Sequence, residues 1–266
     1  MNIKELIEKH GGTNENWLIL EYLTGKKSVE LKIDLRFCVD YIYNDFLEII
    51  EKRKQNYPLQ YIFGKWEFYG LELFVDESAL IPRFETEILV DEILKLDCKK
   101  DKILDIGCGS GAISLALADN LKKSYVYGID INKEAIKLSN KNKEKLNLKN
   151  VDFFESDIFS NIKEKNFDII VSNPPYIDEI DMKTLEKELS FEPQNALYGG
   201  KDGLFFYKKI ISGSLDYLSA NGVLAFEIGY NQMKIISNLL IENGFEILLQ
   251  KKDFAGFDRI IIAKRR

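Results

Sequence analysis

The residues best equipped for chemistry are Asn173, Pro174, Pro175 and Tyr176, which end the apolar run Phe167–Ser172. Two consecutive prolines fix φ at two positions and remove two N–H donors. Each also holds the residue before it extended. The loop is therefore stiff, rich in acceptors and poor in donors. The Asn173 side-chain oxygen and the Pro174 carbonyl can together accept both hydrogens of one –NH2 group, and Tyr176 can lie against a flat group. These features suit group transfer to a planar, amide-type nitrogen. Such a nitrogen is a poor nucleophile because its lone pair is delocalised into the carbonyl. Two fixed acceptors favour the positive charge that builds on it during attack. An electrophile held in line, about 3 Å away, supplies much of the remaining acceleration. The only histidine is His10, so this chemistry has to run without a histidine base in the core. The plainer reading of the tetrapeptide is a rigid turn.

A second constellation lies upstream. Ile103-Leu104-Asp105-Ile106 runs into Gly107-Cys108-Gly109-Ser110-Gly111 and then into the small, apolar run Ala112–Ala118. Glycines let a backbone turn tightly and approach a ligand, and the free N–H groups of the following helix start face a polar ligand. The spacing also satisfies the dinucleotide fingerprint G-x-G-x-x-G/A through Gly107, Gly109 and Ala112. Asp130 ends the next strand candidate, where a carboxylate accepts from ribose hydroxyls in either cofactor class. Asp105, two residues before the first glycine, can meet an ammonium group. The alternation G-x-G-x-G lacks the extra spacing that a pyrophosphate turn favours. Both features tilt the reading towards S-adenosylmethionine. Asp157 can accept from an adenine amino group, with Ile158 packed on the ring. Each residue also has a structural reading: turn glycines, Asp130 beside the helix N-cap candidate Asn132, and Asp157 as an ordinary turn residue.

The elements that must position these residues follow from the alternation after Lys102. Strand candidates KILDIG, YVYGIDI, VDFFES, FDIIVSN, GVLAFEIG, FEILLQ and RIIIAKR are mostly separated by helical stretches in the first half. That pattern predicts a largely parallel α/β sheet with helices on both faces, whose ligands bind beyond the carboxyl ends of the strands. Residues 1–56 read as a small helical domain. Helices are expected around Ile3–Lys9 and Trp17–Leu23, with one apolar stripe through Leu35, Val39, Ile42, Phe46 and Ile49. Residues 57–80, rich in aromatics and punctuated by Gly64 and Gly70, read as a β-hairpin linker. Residues 81–266 form the α/β domain, entered through IPRFETE and a helix with Leu89, Ile93 and Leu96 on one face.

The bulk numbers set outer bounds. A chain of 266 residues with 45% hydrophobic and 30% charged residues has the composition of a soluble globular protein. The net charge of −6 argues against a nucleic-acid backbone as partner, though not against a local basic patch. The opening MNIKELIEKH lacks the apolar core of a secretory signal, and no long apolar run predicts a membrane span. Three scattered cysteines without a C-x-x-C pair fit a reducing cytoplasm and argue against a zinc site.

Together these motifs resemble the class I S-adenosylmethionine methyltransferases, and within them the peptide-chain release factor glutamine N5-methyltransferases. The resemblance rests on QYIFGKWEFYG, LIPRFETEILVD, ILDIGCGSGAISLALA, SNPPYI, FEPQNALYGGKDGLFFYKKI, EIGYNQ and KDFAGFDRIIIAKR, and covers nearly the whole chain from about Tyr57. It implies a Rossmann-like, seven-stranded, mostly parallel sheet with an N-terminal helical domain. It implies methylation of the glutamine side chain in the Gly-Gly-Gln tip of release factors, with S-adenosylhomocysteine as product and no metal. By the resemblance, Asp105, Gly107, Cys108, Gly109, Ser110, Gly111, Asp130, Asp157 and Ile158 bind the cofactor, with Asn173 at its edge. Asn173, Pro174, Pro175 and Tyr176 hold the glutamine amide, with Asn173 and Pro174 as the catalytic pair. The family often carries Trp where this chain has Ile158, which implies a smaller adenine contact here. Arg83 either faces the site or pairs with Glu85 or Glu87 at a helix start, and Glu192 borders the cleft. The rival readings are a methyltransferase acting on exocyclic amino groups of DNA or RNA bases, a nicotinamide-dependent oxidoreductase, and a non-enzymatic binding module.

Overall fold

Strands buried on both faces read as unbroken apolar runs, and the chain uses several. The computed structural model describes residues 1–266. In the first compact unit, Met1–Phe63, helices α1 (Ile3–His10), α2 (Asn14–Thr24), α3 (Ser28–Ile33), α4 (Tyr43–Lys54) and α5 (Leu59–Phe63) enclose a core of Ile3, Leu6, Trp17, Leu20, Phe46 and Ile49. Asn2 and Glu5 form a reciprocal capping box on α1.

The expected stripe from Leu35 to Ile49 is only partly helical. Val39, Ile42, Phe46 and Ile49 are buried, but Leu35 is exposed and α4 begins at Tyr43. The preceding segment instead pairs its backbone with the N-terminus: Ile3 N donates to Phe37 O, Lys4 N to Leu35 O and Val39 N to Met1 O. Tertiary hydrogen bonds override the local period there. Helix α3 was not foreseen.

The second unit, Gly64–Arg266, opens with a hairpin of β1 (Lys65–Phe68) and β2 (Leu71–Phe74). The hairpin is shorter than the expected 57–80, because Leu59–Phe63 is helical and Leu59 belongs to the first unit's core. Then follow α6 (Phe84–Lys95), β3 (Lys102–Ile106), α7 (Ala112–Asn120), β4 (Tyr125–Asp130), α8 (Lys133–Leu146), β5 (Val151–Glu155), β6 (Phe167–Ser172), α9 (Phe205–Ser214), β7 (Leu218–Glu227), α10 (Met233–Glu242), β8 (Phe245–Lys252) and β9 (Asp258–Arg265). The seven-stranded sheet has the order β5-β4-β3-β6-β7-β9-β8, parallel except for β9, which is antiparallel to β7 and β8.

Alternate strand residues face opposite layers. Ile103, Ile169, Val171 and Ile260 pack with α6 and α7, whereas Leu104, Ile170, Phe226 and Ile261 pack with α9 and α10. The chain leaves β3 towards β4 and β5, then returns to place β6 on β3's other side. That reversal is a topological switch point, where the loops after β3 and β6 meet. Ile106 is in register with Ser172, whose hydroxyl donates to the Ile106 carbonyl at 2.6 Å. No helix is long and apolar enough to cross a membrane.

Asn142 on α8 ties the hairpin to the glycine loop. Its buried amide donates to Phe74 O and Ser110 O at 3.0 and 2.9 Å and accepts from Phe74 N at 2.7 Å. Asn142→Ala leaves these backbone groups without partners, and is expected to cost about 1–2 kcal/mol. A lowered thermal midpoint checks this, and an unchanged midpoint refutes the role.

Candidate active site

At the switch point the β3–α7 loop carries the glycines. Gly107 and Gly109 have φ of 74° and 55°, which side-chain-bearing residues rarely adopt, so bare backbone lines a cavity of about 300 Å³. Gly107, Cys108, Gly109 and Ser110 form one wall, and Asp130, Asp157 and Ile158 also face it. Asp130 is held from two sides: its Oδ2 accepts from Gly109 N at 2.9 Å and its Oδ1 from Asn132 N at 2.8 Å. Each carboxylate oxygen keeps a further lone pair for a ligand. Burial raises the Asp130 carboxyl above its ordinary value, against the pull of those backbone donors. Asn132 caps α8, accepting from Glu134 N, so Asp130 is not needed as the cap. Ile158 has φ of 50°, a costly conformation for a β-branched residue.

Two expected cofactor residues stand behind this wall. Asp105 is fully buried, and its Oδ2 accepts from Ser114 N at 3.1 Å and Ser114 Oγ at 2.6 Å. Burial pushes its carboxyl up to about 7. Through Oδ2 the carboxylate braces the start of α7, while its buried Oδ1 has no hydrogen-bond partner within the chain. Gly111 caps α7, where an added Cβ would lie 2.9 Å from the Phe153 ring. Its glycine answers to helix–sheet packing.

Asn173 and Pro174 line both this cavity and a second one of about 320 Å³, while Pro175 faces the first and Tyr176 the second. Arg83 also faces both. Its guanidinium hydrogen-bonds and ion-pairs with Glu192, not with Glu85 or Glu87. Glu192 Oε2 also accepts from Ile81 N at 3.0 Å, so the buried carboxylate fixes the second cavity's rim. Burial pushes the Tyr176 hydroxyl up to about 12, which keeps it protonated.

The proline loop is braced by stretches to which the sequence alone assigned no step. A Cβ on Gly199 would lie 2.7 Å from Pro175 O, and one on Gly203 would lie 2.4 Å from Tyr176 O. Gln232 Nε2 donates to Tyr176 O at 3.1 Å and to Gly203 O at 3.2 Å. Asn173 Nδ2 donates to Thr86 Oγ1 at 3.2 Å, and Thr86 Oγ1 donates to Glu227 Oε2 at 2.6 Å. Burial pushes the Glu227 carboxyl up to about 7. Thr86, Gln232 and Glu227 were missed as functional residues. The stretches IPRFETE and EIGYNQ that contain them were the available signal. No group of three or more His, Cys, Asp or Glu side chains is arranged to hold a metal ion.

Known proteins match this arrangement at two levels. Residues 84–202 fit the family model for the methyltransferase small domain. The chain is 51% identical over 221 residues to a release factor glutamine methyltransferase of Fusobacterium nucleatum, a match covering 82% of this chain and 62% of that protein. It is 40% identical over 222 residues to one from Thermodesulfovibrio yellowstonii, covering 82% of this chain and 80% of the relative. It is 38% identical to one from Buchnera aphidicola, covering 100% of this chain and 99% of the relative. Among solved structures, a methyltransferase from Pyrococcus furiosus superposes with a TM-score of 0.61 at 19% identity, over 80% of this chain and 98% of its own. A tRNA m1G37 methyltransferase from M. jannaschii does so with a TM-score of 0.54 at 21% identity, over 76% of this chain and 56% of its own. At these identities the structures establish the shared fold alone. The family sets aside the nicotinamide and non-enzymatic readings of the glycine loop. With relatives 40% and 38% identical that it matches over 80% and 99% of their own lengths, the chain belongs to the release factor glutamine methyltransferase family.

Proposed function

We propose that this chain transfers a methyl group from S-adenosylmethionine to the side-chain amide nitrogen of the glutamine in the Gly-Gly-Gln motif of peptide-chain release factors, in the cytoplasm. The observation that carries the reading is that two cavities share Asn173 and Pro174 as a common wall. The first cavity suits the cofactor. It offers bare backbone at Gly107 and Gly109, a held carboxylate at Asp130 for ribose hydroxyls, and Asp157 with Ile158 for adenine. Bound there, S-adenosylmethionine supplies a methyl group made electrophilic by its sulfonium. The second cavity takes the glutamine side chain.

The chain's own residues then act on the amide. The Asn173 side-chain oxygen and the Pro174 carbonyl accept its two hydrogens, which holds the nitrogen towards the first cavity. As the new N–C bond forms and the sulfonium's bond to that methyl breaks, leaving S-adenosylhomocysteine, positive charge grows on the nitrogen, and the methylated amide becomes neutral by releasing one N–H proton to solvent. Two fixed acceptors stabilise that charge more than they stabilise the neutral amide, so they lower the barrier. Tyr176, protonated, packs against the flat amide without taking its proton. Arg83 and Glu192 shape the entrance through their mutual ion pair.

Incubating the purified chain with methyl-labelled S-adenosylmethionine and either release factor or nucleic acid tests the reading. Label is expected on release factor and is expected to vanish when the Gly-Gly-Gln glutamine is replaced by alanine. Label on nucleic acid and none on release factor would move the substrate to base amino groups.

A further inference from the structure

Asn173, Thr86 and Glu227 come from three elements. Asn173 follows β6, Thr86 lies in the first turn of α6, and Glu227 ends β7. Thr86 and Glu227 are only 5% and 2% exposed, so bulk water does not compete for their hydrogen bonds. A threonine hydroxyl has one proton. At 2.6 Å from Glu227 Oε2, that proton belongs to the pair with the carboxylate. Thr86 then presents only lone pairs to Asn173. The Asn173 atom 3.2 Å away has to be its N–H. The Asn173 oxygen is therefore turned away from Thr86 and left for another donor.

We propose that Glu227, acting through Thr86, sets the polarity of the Asn173 amide, so that the site presents an acceptor and selects a nitrogen carrying two hydrogens. The inference rests on the reading of Asn173 as acceptor for the substrate amide. Thr86 and Glu227 are positioning residues in it.

A protonated Glu227 reverses the chain of bonds. Its carboxyl O–H donates to Thr86, the Thr86 proton turns to Asn173, and the flipped amide offers N–H to a substrate that also brings N–H. Two donors then face each other, and turnover falls. Glu227 is placed to make this change near neutrality, since burial pushes its carboxyl up to about 7. Arg259 opposes that rise and Glu85 adds to it. Tyr176 is also close enough to interact, and the Tyr207 hydroxyl donates to the Glu227 backbone carbonyl at 2.8 Å. The sign is fixed: the ionised form above the pKa is active, and activity is lost as the pH falls through it.

The test measures kcat and KM for release-factor methylation across pH, with cofactor Kd measured separately. Thr86→Val keeps the shape and removes the hydroxyl. It is expected to lower kcat/KM about tenfold or more while leaving cofactor Kd within about twofold. Thr86→Ser restores the hydroxyl and is expected to recover activity to within about threefold of the parent chain. Glu227→Gln does not titrate, and is expected to lose the acid-side fall in kcat/KM. Should Thr86→Val fail to fold, Thr86→Ser and the Glu227→Gln pH profile still decide. Parent-like turnover in Thr86→Val, or an unchanged acid limb in Glu227→Gln, overturns the inference and leaves the methyltransferase reading intact. Absence of any transfer to release factor by the parent chain overturns both.

Discussion

Asn173→Ala is expected to bind cofactor normally and to lose about 10²–10³-fold in turnover, the loss typical when one preorganised group that stabilises transition-state charge is removed. The argument is differential. The Asn173 oxygen meets the substrate amide as a modest acceptor in the ground state, but its dipole counts for more as charge grows on the nitrogen. Removing it leaves Pro174 as the single acceptor and frees the amide to rotate. Asn173→Asp does not restore function. It keeps the acceptor but has no N–H to give Thr86, and it places a second carboxylate beside the buried Glu227. The check is single-turnover kinetics with release factor, beside cofactor Kd by calorimetry. Retained turnover in Asn173→Ala would refute its role.

Asp130→Ala is expected to raise cofactor Kd about 30–100-fold, the loss of a charged acceptor shared by two ribose hydroxyls. Two contributions combine. The ligand loses its acceptor, and the loop loses the anchor on Gly109 N that holds the glycine turn in place. Asp130→Asn separates them. It keeps the shape and one acceptor oxygen, so an intermediate Kd is expected. An unchanged Kd in Asp130→Ala would count against the cofactor placement.

Much of this site was legible in the chain because its signals are local. Parallel strands buried on both faces leave unbroken runs such as Ile103–Ile106 and Phe167–Ser172, and their ends mark the loops that meet at a switch point. Asn173-Pro174-Pro175 carries its own backbone restraint, and Gly107 and Gly109 announce conformations other residues avoid. What was not legible depends on partners far apart in sequence. Arg83 finds Glu192 109 residues away, and Thr86 finds Glu227 141 residues away. No spacing rule reaches across such distances, so the only ion partners the sequence offered Arg83, beside a place facing the site, were nearby Glu85 or Glu87. The Asp105 brace was hidden for a related reason. Its place before the glycines marks a strand end, but its orientation depends on Ser114, in the first turn of α7. Leu35 shows the same limit in the helical unit, where backbone pairing with the N-terminus displaced a helix that periodicity favoured.

The most direct check is mass spectrometry of the Gly-Gly-Gln peptide of release factor taken from cells with and without this protein. A single methyl group on the glutamine side chain, present only with the protein, is the expected result. Identical, unmodified peptides from both sources would contradict the claim that this proline-braced pocket methylates that amide.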